Sequence, residues 1–193
     1  MRKLVYYIGS SLDGRIAGPG DEVDFYPVGD GEEAASYMGW VNGLYPETVP
    51  TRMRGMAGLD GVPNKRFDTV VMGLRTYRMV LDQGVPSPYA HLRQYVVSTS
   101  LEESPDPAVR LAREPLALVR ELKSEDGPDI WLCGGGGLAA SLLPEIDEMI
   151  VKSYPVVAGA GVPLFDGAFR PTPFTAADRR TFPNGVAITW YAK

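Results

Sequence analysis

Four consecutive glycines, Gly134 to Gly137, stand between the apolar run Ile130-Trp131-Leu132-Cys133 and the helix-like run Leu138-Ala139-Ala140-Ser141-Leu142-Leu143. Residues without a Cβ reach positive φ at little cost and let the main chain come close to a ligand. The amides that open the next helix then face outward as donors to an anion. A glycine linker or a helix stop would use the same residues, but a linker is not normally flanked on both sides by segments that read as buried. The pattern therefore predicts a strand-to-helix turn suited to the pyrophosphate of a dinucleotide.

Other segments extend the alternation. Residues 4–8 read as a first strand, and the Gly-, Pro- and acid-rich stretch 10–66 holds one helix over about 32–44, with Ala35, Met38, Val41 and Tyr45 near helical spacing. Strands are predicted over 68–72, 95–97, 130–133 and 148–154, and helices over 75–82 and 115–123. The tail reads as a hairpin, 174–180 and 186–191, turning at Pro183-Asn184-Gly185. Successive βα units imply parallel neighbours with right-handed crossovers. The expected fold is a three-layer α/β/α sandwich with a mixed, mostly parallel sheet, its ligand crevice at the carboxyl ends of the strands.

Composition narrows the chemistry. A chain of 193 residues, 45% hydrophobic and 22% charged, fits one globular domain. One cysteine, Cys133, rules out an internal disulfide and suits a reducing cytoplasm. One histidine, His91, in a turn-rich stretch that reads as surface loop, leaves no multi-Cys/His zinc site and only one route to a histidine-based nucleophile. A net charge of -5 without a basic cluster argues against nucleic acid as partner. No run is long enough for a signal segment or a membrane helix.

Three strand ends carry turns that favour anions: Gly73 to Thr76, Ser98-Thr99-Ser100, and the glycine run. Turn chemistry explains each of them singly. Their convergence on one sheet edge is the stronger signal, with Arg75 as the available guanidinium.

The strings Ser10-Ser11-Leu12-Asp13-Gly14-Arg15-Ile16-Ala17, Val71-Met72-Gly73-Leu74-Arg75-Thr76-Tyr77, Gly134-Gly135-Gly136 with Leu138, and Gly159-Ala160-Gly161-Val162-Pro163-Leu164-Phe165 occur in this order. They resemble the dihydrofolate reductase superfamily, and most closely the reductase domain of the bifunctional riboflavin-biosynthesis deaminase-reductase. The deaminase half, with its zinc signature, is absent from the sequence. The resemblance implies an NADPH-dependent reductase of a small heterocyclic or carbonyl/imine compound. A pyrimidine of the 5-amino-6-ribosylaminouracil phosphate type and a pterin are its candidate substrates, and folate reduction itself ranks lower. A non-catalytic dinucleotide-binding protein of the same fold is the alternative.

By the family pattern, Gly9, Ile16 and Ala17 border the nicotinamide, and Cys133 lies beneath it. Gly73, Leu74, Arg75 and Thr76 meet the phosphates, with Ser98, Thr99 and Ser100 near the adenosine. Gly134 and Gly135 match two glycines joined by a cis peptide, followed by Gly136, Gly137 and Leu138. Leu74 stands where the family usually has arginine, so NADH stays open beside NADPH. On the substrate side Asp24, Asp30, Glu32 and Glu33 are candidate acids that spacing does not rank, and helix-dipole stabilisation explains at least two of them. Lys152 is a candidate substrate contact, while Arg52, Arg54, Lys65 and Arg66 read as solvated charge or as receivers of an anionic tail. Members of that branch form homodimers, which is the expectation carried here.

Overall fold

Strand β1 (Leu4–Ser10) is the strand around which the fold is built, with Leu4, Val5 and Tyr6 fully buried. It has parallel neighbours on both sides, so both of its faces are covered and its sequence is a nearly unbroken apolar run. The structure is a computed structural model and describes residues 1–193. Along the chain follow β2 (Arg15–Ala17), α1 (Gly31–Leu44), β3 (Phe67–Gly73), α2 (Leu74–Leu81), β4 (Arg93–Val97), β5 (Val109–Ala112), α3 (Pro115–Ser124) and β6 (Asp129–Gly134). After these come α4 (Gly136–Leu142), β7 (Ile146–Ser153), β8 (Val162–Pro163), β9 (Thr175–Thr181) and β10 (Ala187–Ala192). The eight-stranded sheet runs β5-β4-β3-β6-β1-β7-β10-β9, parallel as far as β7 and antiparallel through β10 and β9. β2 and β8 pair separately as a short antiparallel ribbon.

Side-chain alternation along β1 divides the interior into two cores. Val5 and Tyr7 join a cluster with Tyr37 and Val41 of α1 and Tyr77 of α2. Leu4 and Tyr6 join Val119 and Leu122 of α3 and Ala139 and Leu142 of α4. Helices thus cover both faces of a mixed, mostly parallel sheet, the expected three-layer architecture. Each fully buried side chain of this kind contributes about 1.5–3 kcal/mol.

Differences from the expected elements have local causes. Helix α1 buries Tyr37, Val41 and then Tyr45, spaced by four, while Ala35 and Met38 face outward. The larger aromatic face wins, and the Tyr37 hydroxyl sits 2.8 Å from that of Tyr154. Strand β5 escaped notice because it is an edge strand with exposed Arg110. The hairpin lies one residue beyond the positions expected for it, and its turn closes with the Gly185 amide donating to the Phe182 carbonyl at 2.9 Å.

Candidate functional site

The carboxyl ends of β1, β3, β4 and β6 open onto a groove of about 770 Å³. Ile16, Ala17, Gly73, Leu74, Arg75, Thr76, Ser98, Thr99, Ser100, Cys133, Gly134, Gly135, Gly136, Gly137 and Leu138 all line it. Gly9 does not. It lines the adjoining cavity, where a Cβ would come 3.2 Å from Tyr154 Cε2.

The glycine run is not one device repeated. Gly134 and Gly135 have φ of 156° and 102°, which gives the turn its shape. The peptide joining them is trans, in contrast to the cis bond that the resemblance implied; the two positive φ angles accomplish the reversal. Gly136 lies so close to the Pro163 carbonyl oxygen that a Cβ would collide with backbone. Gly137 is the second residue of α4, its φ is not positive, and nothing lies within 4 Å of its Cβ position. It lines the groove and leaves open space at its Cβ position. The β3 turn adjoins this one, for a Cβ at Gly73 would lie 3.6 Å from the Gly134 carbonyl oxygen.

Charges around the groove are partly committed. Arg75 donates to the Asp21 carboxylate and, at 3.1 Å, to the Pro19 carbonyl. Arg113 donates to the carbonyls of Ser98 and Glu102. The Ser98 hydroxyl accepts from the amides of Ser100 at 3.1 Å and Leu101 at 2.9 Å and so builds its own turn, leaving Thr99 and Ser100 exposed beside the groove. Asp21, Arg113 and Asp166 line the groove without having been singled out from the sequence. Asp166 follows directly on the Leu164-Phe165 end of a recognised string, and its amide donates to the Gly136 carbonyl at 3.0 Å. Its position was therefore the one signal available.

Ile8 and Cys133, at the ends of β1 and β6, also line a second cavity of about 480 Å³. Tyr7, Tyr37, Tyr89, Trp131 and Tyr154 form its aromatic walls. Met38, Met53 and Met56 stand at 41%, 42% and 86% exposure on its mouth, adaptable side chains suited to an entrance. Desolvation pushes the Cys133 thiol up to about 12, with the neighbouring Tyr89 and the charge of Lys152 opposing it. Desolvation also raises the phenols of Tyr7, Tyr37 and Tyr89. At neutral pH all of these groups are protonated, so the cavity offers O–H and S–H donors and no thiolate.

Lys152 lies in this cavity, its Nζ 4.3 Å from the centre of the Tyr7 ring. The four candidate acids do not. Asp24, Asp30, Glu32 and Glu33 are exposed and line neither groove nor cavity. Glu32 and Glu33, in the first turn of α1, have the helix-dipole role.

The segment from Tyr45 to Arg66 walls the cavity through buried charge. Glu47, fully buried, accepts from the amides of Lys65, Arg66 and Phe67 at 3.1, 2.8 and 2.8 Å. Arg54, also buried, donates to the carbonyls of Pro46, Leu59 and Val62. His91 is no free loop histidine. Its Nε2 donates to the Glu47 carbonyl at 2.8 Å, Nδ1 faces the Thr51 hydroxyl at 2.9 Å, and burial lowers its pKa. Arg66 pairs with Asp129 and Glu148, Arg52 with Gln83, and Lys65 with the Gly43 carbonyl. Each of these cations thus has a partner within the protein. No three His, Cys, Asp or Glu side chains gather where they could hold a metal ion, and no helix is long and apolar enough to cross a membrane.

Comparison with known proteins places this geometry among relatives. The model of the RibD C-terminal domain family matches residues 2–188. The uncharacterized Bacillus subtilis (strain 168) protein YwjB is 30% identical over 190 residues, 97% of this chain and 96% of YwjB. The uncharacterized YyaP of the same organism is 34% identical over 101 residues, about half of each chain (51% and 54%). Among solved structures, a candidate riboflavin biosynthesis protein of Shewanella sp. PV-4 superposes with a TM-score of 0.68 at 24% identity, covering 100% of this chain and 98% of that one. The Thermotoga maritima diaminohydroxyphosphoribosylaminopyrimidine deaminase/5-amino-6-(5-phosphoribosylamino)uracil reductase gives 0.65 at 15% identity, this chain spanning 56% of its length. The two superpositions establish a shared fold.

Proposed function

The chain belongs to the RibD C-terminal domain family, and from that premise we propose that it is a reductase that binds NADPH in the groove and reduces a small heterocyclic or carbonyl/imine substrate in the adjoining cavity. One observation carries the reading: groove and cavity meet at Ile8 and Cys133, so a ligand in each would be neighbours across those two side chains. A dinucleotide fits the residues present. The groove is long, it passes three strand-end turns, and at Gly137 it leaves space that a side chain would occupy. The bound cofactor supplies the hydride. The chain's own part is to bind, to orient and to exclude water, with phenols, the Cys133 thiol, Asn42, Thr48 and the Lys152 ammonium as the polar groups of the cavity. We further propose a cytoplasmic homodimer. The single free cysteine suits a reducing compartment, and the sheet ends in the exposed edge strand β9.

Nicotinamide fluorescence titration and an acceptor panel followed by NADPH absorbance test this together. The wild type should bind NADPH saturably and oxidise it with at least one acceptor. Gly137→Val, whose Cβ meets no protein atom within 4 Å, should stay folded by circular dichroism and bind at least about tenfold more weakly. Unchanged affinity in the folded variant contradicts the groove assignment. Binding without turnover across the panel favours the non-catalytic alternative.

A further inference from the structure

We propose that the aromatic cavity selects a flat, conjugated ligand carrying one negative charge, and that Lys152 receives that charge. The cavity is mostly apolar, and among its lining residues there is no Asp, Glu or Arg. Lys152 is its sole formally charged side chain. That ammonium is half-buried, forms no ion pair, and has no hydrogen-bond acceptor; its one close partner is the face of Tyr7. The contrast with the rest of the molecule is direct. Arg2 and Arg54 are buried, Arg66 and Lys123 are half-buried as Lys152 is, and each has a carboxylate or carbonyl partner. A partly desolvated cation whose complement is missing from the protein is complemented by a ligand.

The remaining walls set the ligand's shape and limit its charge. Tyr7, Tyr37, Tyr89, Trp131 and Tyr154 present rings that a planar compound stacks against. A phosphate monoester carries nearly two charges and three acceptor oxygens, which a single ammonium does not match. A pterin held by a carboxylate finds no carboxylate here. That leaves a conjugated monoanion, such as an aromatic carboxylate. Register explains why the cation stands here: Lys152 pairs with Gly9 on β1, beside the boundary with the groove. Only the further step, that this ligand is the compound reduced, rests on the dinucleotide reading of the groove.

Three planar probes of equal ring size test the assignment without cofactor: 2-naphthoate, 2-naphthamide and 2-naphthyl phosphate, titrated against the intact protein by tryptophan fluorescence, with Trp131 in the cavity wall as reporter. The expected order is naphthoate tightest, by tenfold or more over the amide, with the phosphate also weaker than naphthoate. Lys152→Met should abolish the preference for naphthoate over naphthamide, and Lys152→Arg should keep part of it. NADPH affinity should stay within twofold in both variants, because Lys152 lies outside the groove. Equal binding of naphthoate and naphthamide by the wild type, preference for the phosphate, or an unchanged preference in folded Lys152→Met overturns the proposal. Loss of NADPH binding in the wild type, with the naphthoate preference intact, would instead overturn the dinucleotide reading and leave this one standing.

Discussion

Between Arg75 and any incoming phosphate stands Asp21. This carboxylate reaches over the rim of the groove from a residue at φ 69°, a conformation that aspartate tolerates better than most side chains, and holds the Arg75 guanidinium. A cofactor 2′-phosphate would compete with it for the guanidinium, whereas a ribose hydroxyl could donate to it. The Arg75 side chain is 54% exposed, so the pair is screened and worth little. Arg75→Ala is therefore expected to cost NADPH only about 1 kcal/mol and NADH less. Asp21→Asn should move the ratio of the two dissociation constants toward NADPH. Dissociation constants for both cofactors in the two variants check this, and a ratio unmoved by either change removes the pair from cofactor choice. The glycines and Arg75 were legible in the sequence because turn shape and charge are local properties. Asp21 and Arg113 were not, since what brings them to the groove is the path of loops between distant strands.

At the scale of elements, long connections are held by single carboxylates. Asp13, in the turn after β1, accepts from the Ser11 hydroxyl at 2.6 Å and from the amides of Ala158 and Gly159 at 2.9 and 2.8 Å, tying two loops together. These bonds, that from Ser11 foremost, lower its pKa from 3.8 to about 2. A carboxyl depressed on folding stabilises the protein above its unfolded value, and the contribution fades as pH falls through the folded one. Asp13→Asn should thus melt below the wild type at neutral pH, and the difference in Tm should shrink between about pH 4 and pH 2. A difference independent of pH would refute the link. The sequence places Asp13 in the first of the recognised strings but carries no sign of the partner loop. The wall built on Glu47 and Arg54 was hidden for a similar reason. Charged residues in a Gly- and Pro-rich stretch read as solvated, and only the fold reveals the three amides that Glu47 receives. Helix α1 was found within a residue, yet its buried face was misjudged, because period alone does not decide whether Met38 or Tyr37 turns inward.

For the whole molecule, the order of strands matters more than any one motif. Parallel pairing of β6 with β1 brings Cys133 and Ile8 to the carboxyl edge on neighbouring strands, where both line groove and cavity, and β7 beside β1 brings in Lys152. Groove and cavity therefore adjoin as a consequence of strand order; alternating strand and helix patterns made the crevice at the carboxyl ends legible, but not that order. The aromatic cavity was far less legible, being assembled from β1, α1, β6, β7, the 46–57 segment and Tyr89, with no local signature. A crystal soaked with NADPH tests the central claim most directly through its difference density. The expected map has the pyrophosphate at the turn of Gly134 to Gly137 and the nicotinamide by Ile8, Ile16 and Cys133, one face toward the aromatic cavity. Density for the dinucleotide elsewhere, or in the groove with the nicotinamide turned away from that cavity, would contradict the account.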